Sequence, residues 1–363
     1  MGGAGGTDTM GGMGGMAGTG GMPGTGGTSG VGDLVGQLSA GVSGGNTILS
    51  GAIYTFVTGA AKVGTDSDWK YASAGLNHHC AVKPSGTLYC WGINNQGSLG
   101  DGTMMARATP TQIGAAGGWS AAAPPGTGWE TTCAIKADAT LWCWGRNSHG
   151  QLGIGTQLES FATPQQTMGG SGWQSVTVGD THACGVKTDG TGWCWGANQA
   201  GQVGNLNGNQ PTPTQVGTDT NWRWMSAGVN HSCGLKADGS AYCWGHNQDG
   251  QLGDGSQTTM SEKPVRVGTD NDWAFIAAMN RATIALKTSG TIWTWGANQL
   301  GEGGIGKNLP GTRTPGQVGT ATDWTMVSGF MKTACARNRA NAIFCWGQRG
   351  TTNTHLPTMV TFP

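Results

Sequence analysis

The sequence predicts an all-β fold, a seven-bladed β-propeller of four-stranded antiparallel blades whose ring is closed by the C-terminal strand. A Trp-Gly pair recurs six times at intervals of 49 to 53 residues, and a degenerate seventh copy precedes these six. Short alternating runs between the pairs are bounded by turn residues, which indicates four small strands per repeat. The 363 residues include 70 glycines and 17 tryptophans, a composition typical of tight turns around a repeated aromatic residue.

Each repeat unit contains the same series of residues. In one well-preserved unit, Trp222 opens the first run, His231 and Cys233 lie in the second, and Cys243 and Trp244 lie in the third. An Asn-x-x-Gly-Gln-Leu-Gly loop and a Pro-x-x-Val run complete the unit. Gly, Asp-Gly and Pro separate the runs, as expected for turns between antiparallel strands. The Trp-Gly tryptophans are Trp91, Trp144, Trp195, Trp244, Trp295 and Trp346, and the leading tryptophans are Trp69, Trp119, Trp173, Trp222, Trp273 and Trp324.

The degenerate first unit carries Phe56 where the other units carry the tryptophan of the Trp-Gly pair. It lacks the Asn-x-x-Gly-Gln-Leu-Gly loop and a Pro-x-x-Val run, whereas one such run, residues 357–360, is present at the C-terminus. We therefore expect the C-terminal strand to complete the first blade, which would leave no exposed sheet edge at the seam. The predicted blade units are 34–62 together with 357–362, then 63–112, 113–166, 167–216, 217–267, 268–318 and 319–356.

The repeated motif resembles the regulator-of-chromosome-condensation repeat. In this sequence it reads His-x-Cys-x-x-Lys-x-x-Gly in residues 231–239 and Trp-Gly-x-Asn-x-x-Gly-Gln-Leu-Gly in residues 244–253. The resemblance covers residues 34–363 and implies a seven-bladed propeller. Members of that family include nuclear guanine-nucleotide exchange factors, secreted bacterial β-lactamase inhibitor proteins and bacterial surface proteins. The resemblance therefore implies a binding module, of the exported bacterial type when the cysteines are considered.

All ten cysteines fall in pairs that are ten residues apart, with a short turn midway between the two members. A hairpin around that turn places the two cysteines directly opposite each other, within disulfide distance. Two units lack both members together, with Gly45 and Thr55 in the first and Ile284 and Thr294 in the sixth. Zinc ligands and buried thiols are the alternatives, but the short spacing of zinc ligand pairs is absent. The predicted disulfides are Cys80–Cys90, Cys133–Cys143, Cys184–Cys194, Cys233–Cys243 and Cys335–Cys345.

Three histidines are candidate metal ligands. His78, His182 and His231 occupy matching positions of three units, and three imidazoles converging on the axis could hold a zinc ion. The other units carry Thr or Ala at this position, so the ring of imidazoles would be irregular. We interpret these histidines as a structural signature of the repeat and predict no metal site.

Two further motifs are candidates for chemistry. Asp66 and Asp68, and similar pairs before later leading tryptophans, have the spacing of calcium ligands, but no bidentate Glu follows them. We interpret such pairs as Asx turns that end a loop before a strand. Residues 41–45 match the Gly-x-Ser-x-Gly string of a nucleophile elbow, without a strand-to-helix turn or partner triad. We predict no catalytic residue and no cofactor, and therefore a protein that is not an enzyme.

Loops that vary between repeats are the better candidates for binding. After each Leu-Gly-x-Gly, the sequence departs from the repeat pattern, and the third unit inserts three residues before its cysteine hairpin. These variable segments carry large apolar residues of the kind that anchor protein interfaces. The predicted binding residues are Met104, Met105, Trp129, Phe161 and Met260. The alternative interpretation is that these segments are solvated connections.

Residues 1–33 form a glycine- and methionine-rich tail with glycine at nearly every third position. Its composition favours a flexible tether, and a threefold glycine helix that associates with copies of itself is the alternative. The tail has no basic start and no leucine-rich core, so we predict no secretory signal within this chain. No apolar run reaches the length that spans a bilayer.

Charge and cysteine content narrow the possible functions. Lys+Arg and Asp+Glu number 19 each, so no basic surface for nucleic acid is predicted. Five disulfides favour an oxidising compartment, which means a cell-surface or extracellular location. We therefore expect a non-enzymatic propeller that binds a protein or a surface polymer through loops on one face. The alternatives are a subunit of an extracellular filament assembled through the tail, a guanine-nucleotide exchange factor, and a propeller lyase.

The redox state of the cysteines is directly testable. Thiol titration of the denatured, unreduced protein is expected to find no free thiol, because all ten cysteines are paired. The same titration after reduction gives the control value of ten. Ten reactive thiols before reduction would contradict both the disulfides and the oxidising compartment inferred from them.

Overall fold

The computed structural model describes residues 38–39, 45–56, 60–158, 160–205, 208–306, 309–349 and 352–362. These residues form an all-β protein of seven four-stranded antiparallel sheets, with no helix among them. The predicted seven-bladed propeller is therefore confirmed. The glycine-rich tail, and the Gly-x-Ser-x-Gly string apart from Gly45, lie outside the described residues.

The strands follow one another in chain order within each blade. Blades one and two contain β1 (Leu38–Ser39), β2 (Gly45–Leu49), β3 (Ala52–Phe56), β4 (Ala60–Lys62), β5 (Tyr71–Ala74), β6 (His78–Val82), β7 (Leu88–Gly92) and β8 (Arg107–Ile113). Blades three and four contain β9 (Gly126–Thr127), β10 (Thr131–Ile135), β11 (Leu141–Arg146), β12 (Ser160–Gln166), β13 (Trp173–Val178), β14 (His182–Lys187), β15 (Gly192–Gly196) and β16 (Gln210–Gln215). Blades five to seven contain β17 (Trp222–Ala227), β18 (His231–Lys236), β19 (Ala241–His246), β20 (Met260–Arg266), β21 (Trp273–Ala278), β22 (Ala282–Lys287), β23 (Ile292–Gly296), β24 (Thr312–Gln317), β25 (Trp324–Phe330), β26 (Thr333–Asn338), β27 (Ile343–Arg349) and β28 (Thr352–Val360).

The first strand of every blade lies beside the propeller axis. Each of these strands contacts the first strand of the next blade, and β25 of the last blade contacts β1 of the first. The contacts therefore form a closed circuit around the axis. The fourth strand of each blade lies at the rim, because it pairs only with the third.

The core lies between neighbouring blades and is built from cysteines and tryptophans. Cys133 and Cys143 of blade three pack in one buried cluster with Trp173 and Trp195 of blade four. The same arrangement joins blade two to three, four to five and five to six. In blade seven, the cysteines pack against Phe56 of blade one, the residue that replaces the tryptophan. The tryptophans are therefore wedges between blades.

All five predicted disulfides are present, and each joins directly opposite residues of the second and third strands. Ile284 lies opposite Thr294 in blade six, as expected. In blade one, however, Thr55 pairs with Asn46 rather than Gly45. The first hairpin turns through Ser50 and Gly51 alone and is one residue shorter than the others, which shifts the pairing by one position.

The predicted route of ring closure is wrong. Residues 357–360 belong to β28, which pairs with β27 and completes its own blade, while blade one has its own fourth strand, β4. Val63-Gly64, directly after β4, corresponds to the Val-Gly that follows the fourth strand in other blades. The proline of the Pro-x-x-Val run is missing. At the seam, the Phe362 ring packs edge-on against Tyr54 and Phe56, with ring centroids 5.5 and 6.4 Å apart. Side-chain packing rather than a shared strand therefore joins the first and last blades in the described part of the chain.

Buried histidines link successive blades. The Nε2 atoms of His78, His182 and His231 lie 2.8 to 2.9 Å from hydroxyl oxygens of the following blade, which belong to Thr132, Ser232 and Thr283. Each hydroxyl donates its own hydrogen to a loop carbonyl, so the imidazole must donate from Nε2 and is neutral. Burial lowers the pKa of all three histidines to about 3. The histidines are structural, as the sequence indicated.

Replacing Gly179 with alanine tests the close approach of the first strands. A Cβ atom at this position would overlap the carbonyl oxygen of Gly228 in the next blade. Gly179→Ala is expected to lower the free energy of unfolding by about 2 to 3 kcal/mol, measured by urea denaturation. Gly316→Ala is the control, because its Cβ would meet nothing closer than 3.7 Å. Equal stability of the two variants would contradict the close packing around the axis.

The buried histidines predict a fall in stability with acid. Because the folded state holds His182 neutral, the unfolded chain binds more protons below pH 6.5, and stability is lost as the pH falls. Each such histidine contributes a slope of up to about 1.4 kcal/mol per pH unit. His182→Gln keeps a donor and is expected to reduce this slope between pH 6.5 and 4.5, measured by urea denaturation at each pH. The control is His355→Gln, at a half-buried histidine of β28. An unchanged slope in His182→Gln would show that this residue is not held neutral.

Candidate binding site

The connections between strands divide the propeller into two faces. The turns from first to second strand and the long loops from third to fourth strand lie at one end of the blades, which we name the loop face. The hairpins between second and third strands and the connections to the next blade lie at the other end. All first strands run in the same direction, so the axis opens onto the loop face where these strands end.

A series of backbone hydrogen bonds from blade two to blade seven borders this opening, which we name the axial mouth. In blades two to six, the second residue after the end of the first strand donates its N–H group to a carbonyl of the next blade, over 2.8 to 3.2 Å. Glycine occurs at several of the accepting positions, because a Cβ atom there would overlap the neighbouring carbonyl. The donors, which define the axial mouth, are Leu76, Trp129, Asp180, Val229 and Asn280, and Met331 supplies the last carbonyl.

The three-residue insertion of blade three places Trp129 at the axial mouth. The insertion interrupts the first strand, which is reduced to β9 and an isolated bridge between Trp119 and Lys136. The Trp129 amide then donates to the carbonyl of Gly179 at 3.2 Å. Asp180 and Val229 make the equivalent hydrogen bond in their own blades. The indole is half-buried. Trp129 is thus positioned by the same series of backbone hydrogen bonds as the smaller residues around it.

Asp180 lies beside Trp129 in this series and is electrostatically unusual. Its Oδ1 atom is buried without a hydrogen-bond partner, and Asp180 forms no ion pair with any described residue. Burial raises the pKa of Asp180 to about 6, an effect that Arg146 opposes and Glu130 reinforces. Arg146 instead lies 3.7 Å from the Glu130 carboxylate. Burial of Asp180 therefore removes its carboxylate from water without an ion pair to offset the loss of hydration.

The structure does not bring all five predicted binding residues together. Met104 and Met105 are 46% and 66% exposed on the long loop of blade two, and Met260 is 39% exposed at the start of β20. Trp129 lies at the axial mouth. Phe161 lies in strand β12 rather than in a loop and packs, half-buried, against the core cluster between blades three and four.

Below the axial mouth, the first strands enclose a small cavity of about 120 Å³ that is lined mostly by apolar residues. Five hydroxyl-bearing residues also line it, and the Ser73 and Thr127 oxygens lie 2.6 Å apart. At its other end, the Trp224 and Phe275 rings pack 5.2 Å apart. Sequence reasoning missed Trp224 and Asp180. A signal was available, because Trp129 and Trp224 match neither the leading and Trp-Gly positions nor the third repeated position, two residues before the Trp-Gly tryptophan, that Trp142, Trp193 and Trp293 share.

The aspartate pairs on the face opposite the loop face have structural partners. Lys83 lies 2.8 and 2.9 Å from Asp66 and Asp68, and its ammonium sits 5.0 Å from the ring centre of Trp69. The same lysine–aspartate–tryptophan arrangement recurs around Lys236 and Lys287. These carboxylates therefore hold a lysine over an aromatic ring. Among the described residues, no group of three His, Cys, Asp or Glu side chains could hold a metal ion.

The sequence matches two families of the same description, "Regulator of chromosome condensation (RCC1) repeat". The matched segments are residues 69–98, 138–186, 173–202, 189–235 and 225–251. A human protein named "Probable E3 ubiquitin-protein ligase HERC6" is 33% identical over 38% of this chain and 14% of its own length. The Arabidopsis thaliana "Ultraviolet-B receptor UVR8" is 32% identical over 37% of this chain and 31% of its own length. The match thus spans less than a third of either relative.

Solved structures agree with the fold. A chain in the crystal structure of Kap60 bound to yeast RCC1 (Prp20) matches with a TM-score of 0.72 at 20% identity, covering 82% of this chain and 75% of that chain. Human WBSCR16 matches with a TM-score of 0.73 at 18% identity, covering 84% of each chain. No helix in the described residues is long and apolar enough to cross a membrane. The repeat matches and the seven-bladed ring together show that this chain is a propeller that contains regulator of chromosome condensation (RCC1) repeats.

Proposed function

We propose that this chain is a protein-binding propeller that acts outside the cytoplasm and engages its partner through the loop face. The observation that carries the proposal is the distribution of irregular sequence. The core and the opposite face repeat the same tryptophans, lysines and aspartates, whereas the later parts of the long loops, after Leu-Gly-x-Gly, and the insertion of blade three do not repeat. Function on a rigid repeat scaffold is expected where the sequence is irregular.

Exposed apolar side chains on the loop face support a protein partner. Met104 and Met105 stand side by side on the long loop of blade two, and Trp129 lies half-buried at the axial mouth. Methionine and tryptophan are enriched in protein interfaces because they offer large contact areas. The yeast relative Prp20p is described by its binding to Gsp1p and histones, and yeast RCC1 (Prp20) is bound by Kap60. Protein binding by this chain is the corresponding proposal.

A location outside the cytoplasm is supported by the five disulfides. They join directly opposite strand positions and are fully buried, four against tryptophans of the next blade and one against Phe56. Disulfides of this number persist in oxidising compartments. A binding rather than catalytic role is supported by the titratable groups, since the three histidines and the lysine–aspartate sets serve the scaffold. A nuclear exchange activity does not fit an oxidising compartment.

Binding through the loop face can be tested by site-specific photo-crosslinking of the protein to its partner in the native cell envelope. A photoreactive residue at Met105 is expected to capture the partner, because this side chain is exposed on the loop face. The matched control is Met359, which is 56% exposed on the rim strand of blade seven. With the captured partner in purified form, Trp129→Ala is expected to weaken binding by about 1 to 2 kcal/mol or more without lowering the melting temperature.

Phe161→Ala is the internal comparison for these affinity measurements. Because Phe161 packs against the core cluster, its removal is expected to lower the melting temperature. Capture from position 359 and not from position 105 would overturn the loop face as the binding surface. Full affinity in Trp129→Ala would remove the axial mouth from that surface.

A further inference from the structure

The axial mouth has a composition that no single repeat explains. Its six residues include three apolar side chains, one tryptophan, one aspartate and one asparagine, and all are half-buried. Leu76 and Met331 also pack against the buried cluster between blades one and seven. This side of the mouth is therefore held by the core. The mouth therefore combines apolar residues, an aromatic ring and a carboxylate on a packed scaffold.

Trp129 is available for a ligand in a way that the repeat tryptophans are not. The leading and Trp-Gly tryptophans are buried and pair with one another, as in Trp173 with Trp195 at 5.5 Å. In the described part of the chain, Trp129 has no aromatic ring partner and no lysine over its ring. Its side chain is half-exposed at the end of an insertion that no other repeat contains. A half-exposed tryptophan ring without an aromatic or lysine partner is a suitable surface for a cation.

Asp180 supplies the charge for such a cation. Its buried Oδ1 accepts no hydrogen bond, although buried carboxylate oxygens are normally satisfied, so the charge of this carboxylate is poorly compensated within the described residues. A cation bound against the half-buried Asp180 side chain would supply that compensation. The backbones of Trp129 and Asp180 are neighbours at the mouth, since the Trp129 amide donates to the carbonyl of Gly179, the residue before Asp180.

The charges around the mouth are arranged on two sides. Glu130 and Asp180 lie on the side of blades three and four. Arg146 is the cation whose charge acts on Asp180, but its guanidinium group pairs with the Glu130 carboxylate. Arg281 and Lys332 lie on the side of blades six and seven, and Arg281 is held by Asp249 at 2.5 Å. A cation entering the mouth is therefore drawn towards Trp129 and Asp180.

The apolar residues of the mouth provide contact for the aliphatic part of the ligand. Leu76, Val229 and Met331 provide contact for a chain of methylene groups, as lysine and arginine stems require when they pass an apolar surface. The cavity below is small and mostly apolar, and its hydroxyl groups already bond to one another or to the backbone. A large ligand is therefore not admitted to the axis.

We propose that the axial mouth receives a lysine or arginine side chain of the protein partner, with its cationic group between the Trp129 ring and the Asp180 carboxylate. This proposal rests on the proposed function, since it identifies the part of the partner that the loop face recognises. The partner side chain inserts at the centre of the interface, where single residues contribute most to affinity.

Small probes test the site without the partner. N-acetyl-lysine methylamide and N-acetyl-arginine methylamide are titrated into the protein, and the indole N–H resonance of Trp129 is followed by nuclear magnetic resonance. The resonance is assigned by its absence in Trp129→Phe. Both cations are expected to shift it with saturation, whereas the neutral N-acetyl-norleucine methylamide is not.

Asp180→Asn and a matched control locate the charge that binds. Asp180→Asn is expected to weaken probe binding about tenfold or more, since it removes a charge-assisted contact. It is not expected to destabilise the fold, because it removes a desolvated charge. Asp323→Asn makes the same change in a connection on the opposite face and is expected to leave binding unchanged. For the wild type, affinity is expected to fall as the pH drops from 7.5 to 5, because Asp180 becomes protonated around pH 6.

The outcomes separate this proposal from the proposed function. An equal shift with norleucine, or undiminished cation binding in Asp180→Asn, would overturn the cation site. Crosslinking from position 105 together with full partner affinity in Asp180→Asn would also overturn it, and would leave the loop face intact as a binding surface. Loss of both probe and partner binding in Asp180→Asn, with the melting temperature retained, supports the proposal.

Discussion

The structure depends on one hydrogen bond that is repeated between blades. The indole N–H of each Trp-Gly tryptophan from blade three to blade seven donates to a carbonyl in the long loop of the preceding blade, at 2.9 to 3.1 Å. The loop residue that follows the accepting carbonyl is the buried Leu of Gly-Gln-Leu-Gly in several blades, for example Leu152 and Leu252. This bond fixes the loop of one blade against the sheet of the next. In three places the same loop carbonyl also accepts a hydrogen bond from the hydroxyl group that is bonded to a buried histidine. Loop, core and ring geometry are therefore set together.

The repeat made the fold predictable, and its breakdown explains the errors. Recurring tryptophans, glycines and cysteines gave the number of blades and every disulfide, because each has the same role in each copy. Blade one was misread because its fourth strand lacks the marker proline, although Val63-Gly64 remains. Phe161 was taken for a loop residue because strand β12 starts earlier than the Pro-x-x-Val pattern suggests. A motif marks the middle of an element more clearly than its ends.

The candidate site was only partly visible in the sequence for a different reason. Trp129 could be recognised as irregular within its own repeat. Asp180 could not, since it occupies an ordinary position after a glycine, and its burial depends on contacts with blades three and five. The axial mouth is assembled from residues about 50 positions apart that have no pattern in common. Only the series of backbone hydrogen bonds shows that they are neighbours.

The separate fourth strands of the first and last blades have an evolutionary consequence. When a propeller closes by exchanging a strand between its ends, a duplicated segment must keep that exchange intact. Here the repeat in the sequence and the blade in space coincide, because β4 and β28 each complete their own sheet. Duplication or loss of a segment of about 50 residues would therefore add or remove one whole blade, leaving the seam between β25 and β1 to be remade by side-chain packing alone. Ring size in such proteins can change by single genetic events, and a worn blade such as the first can persist beside well-preserved ones.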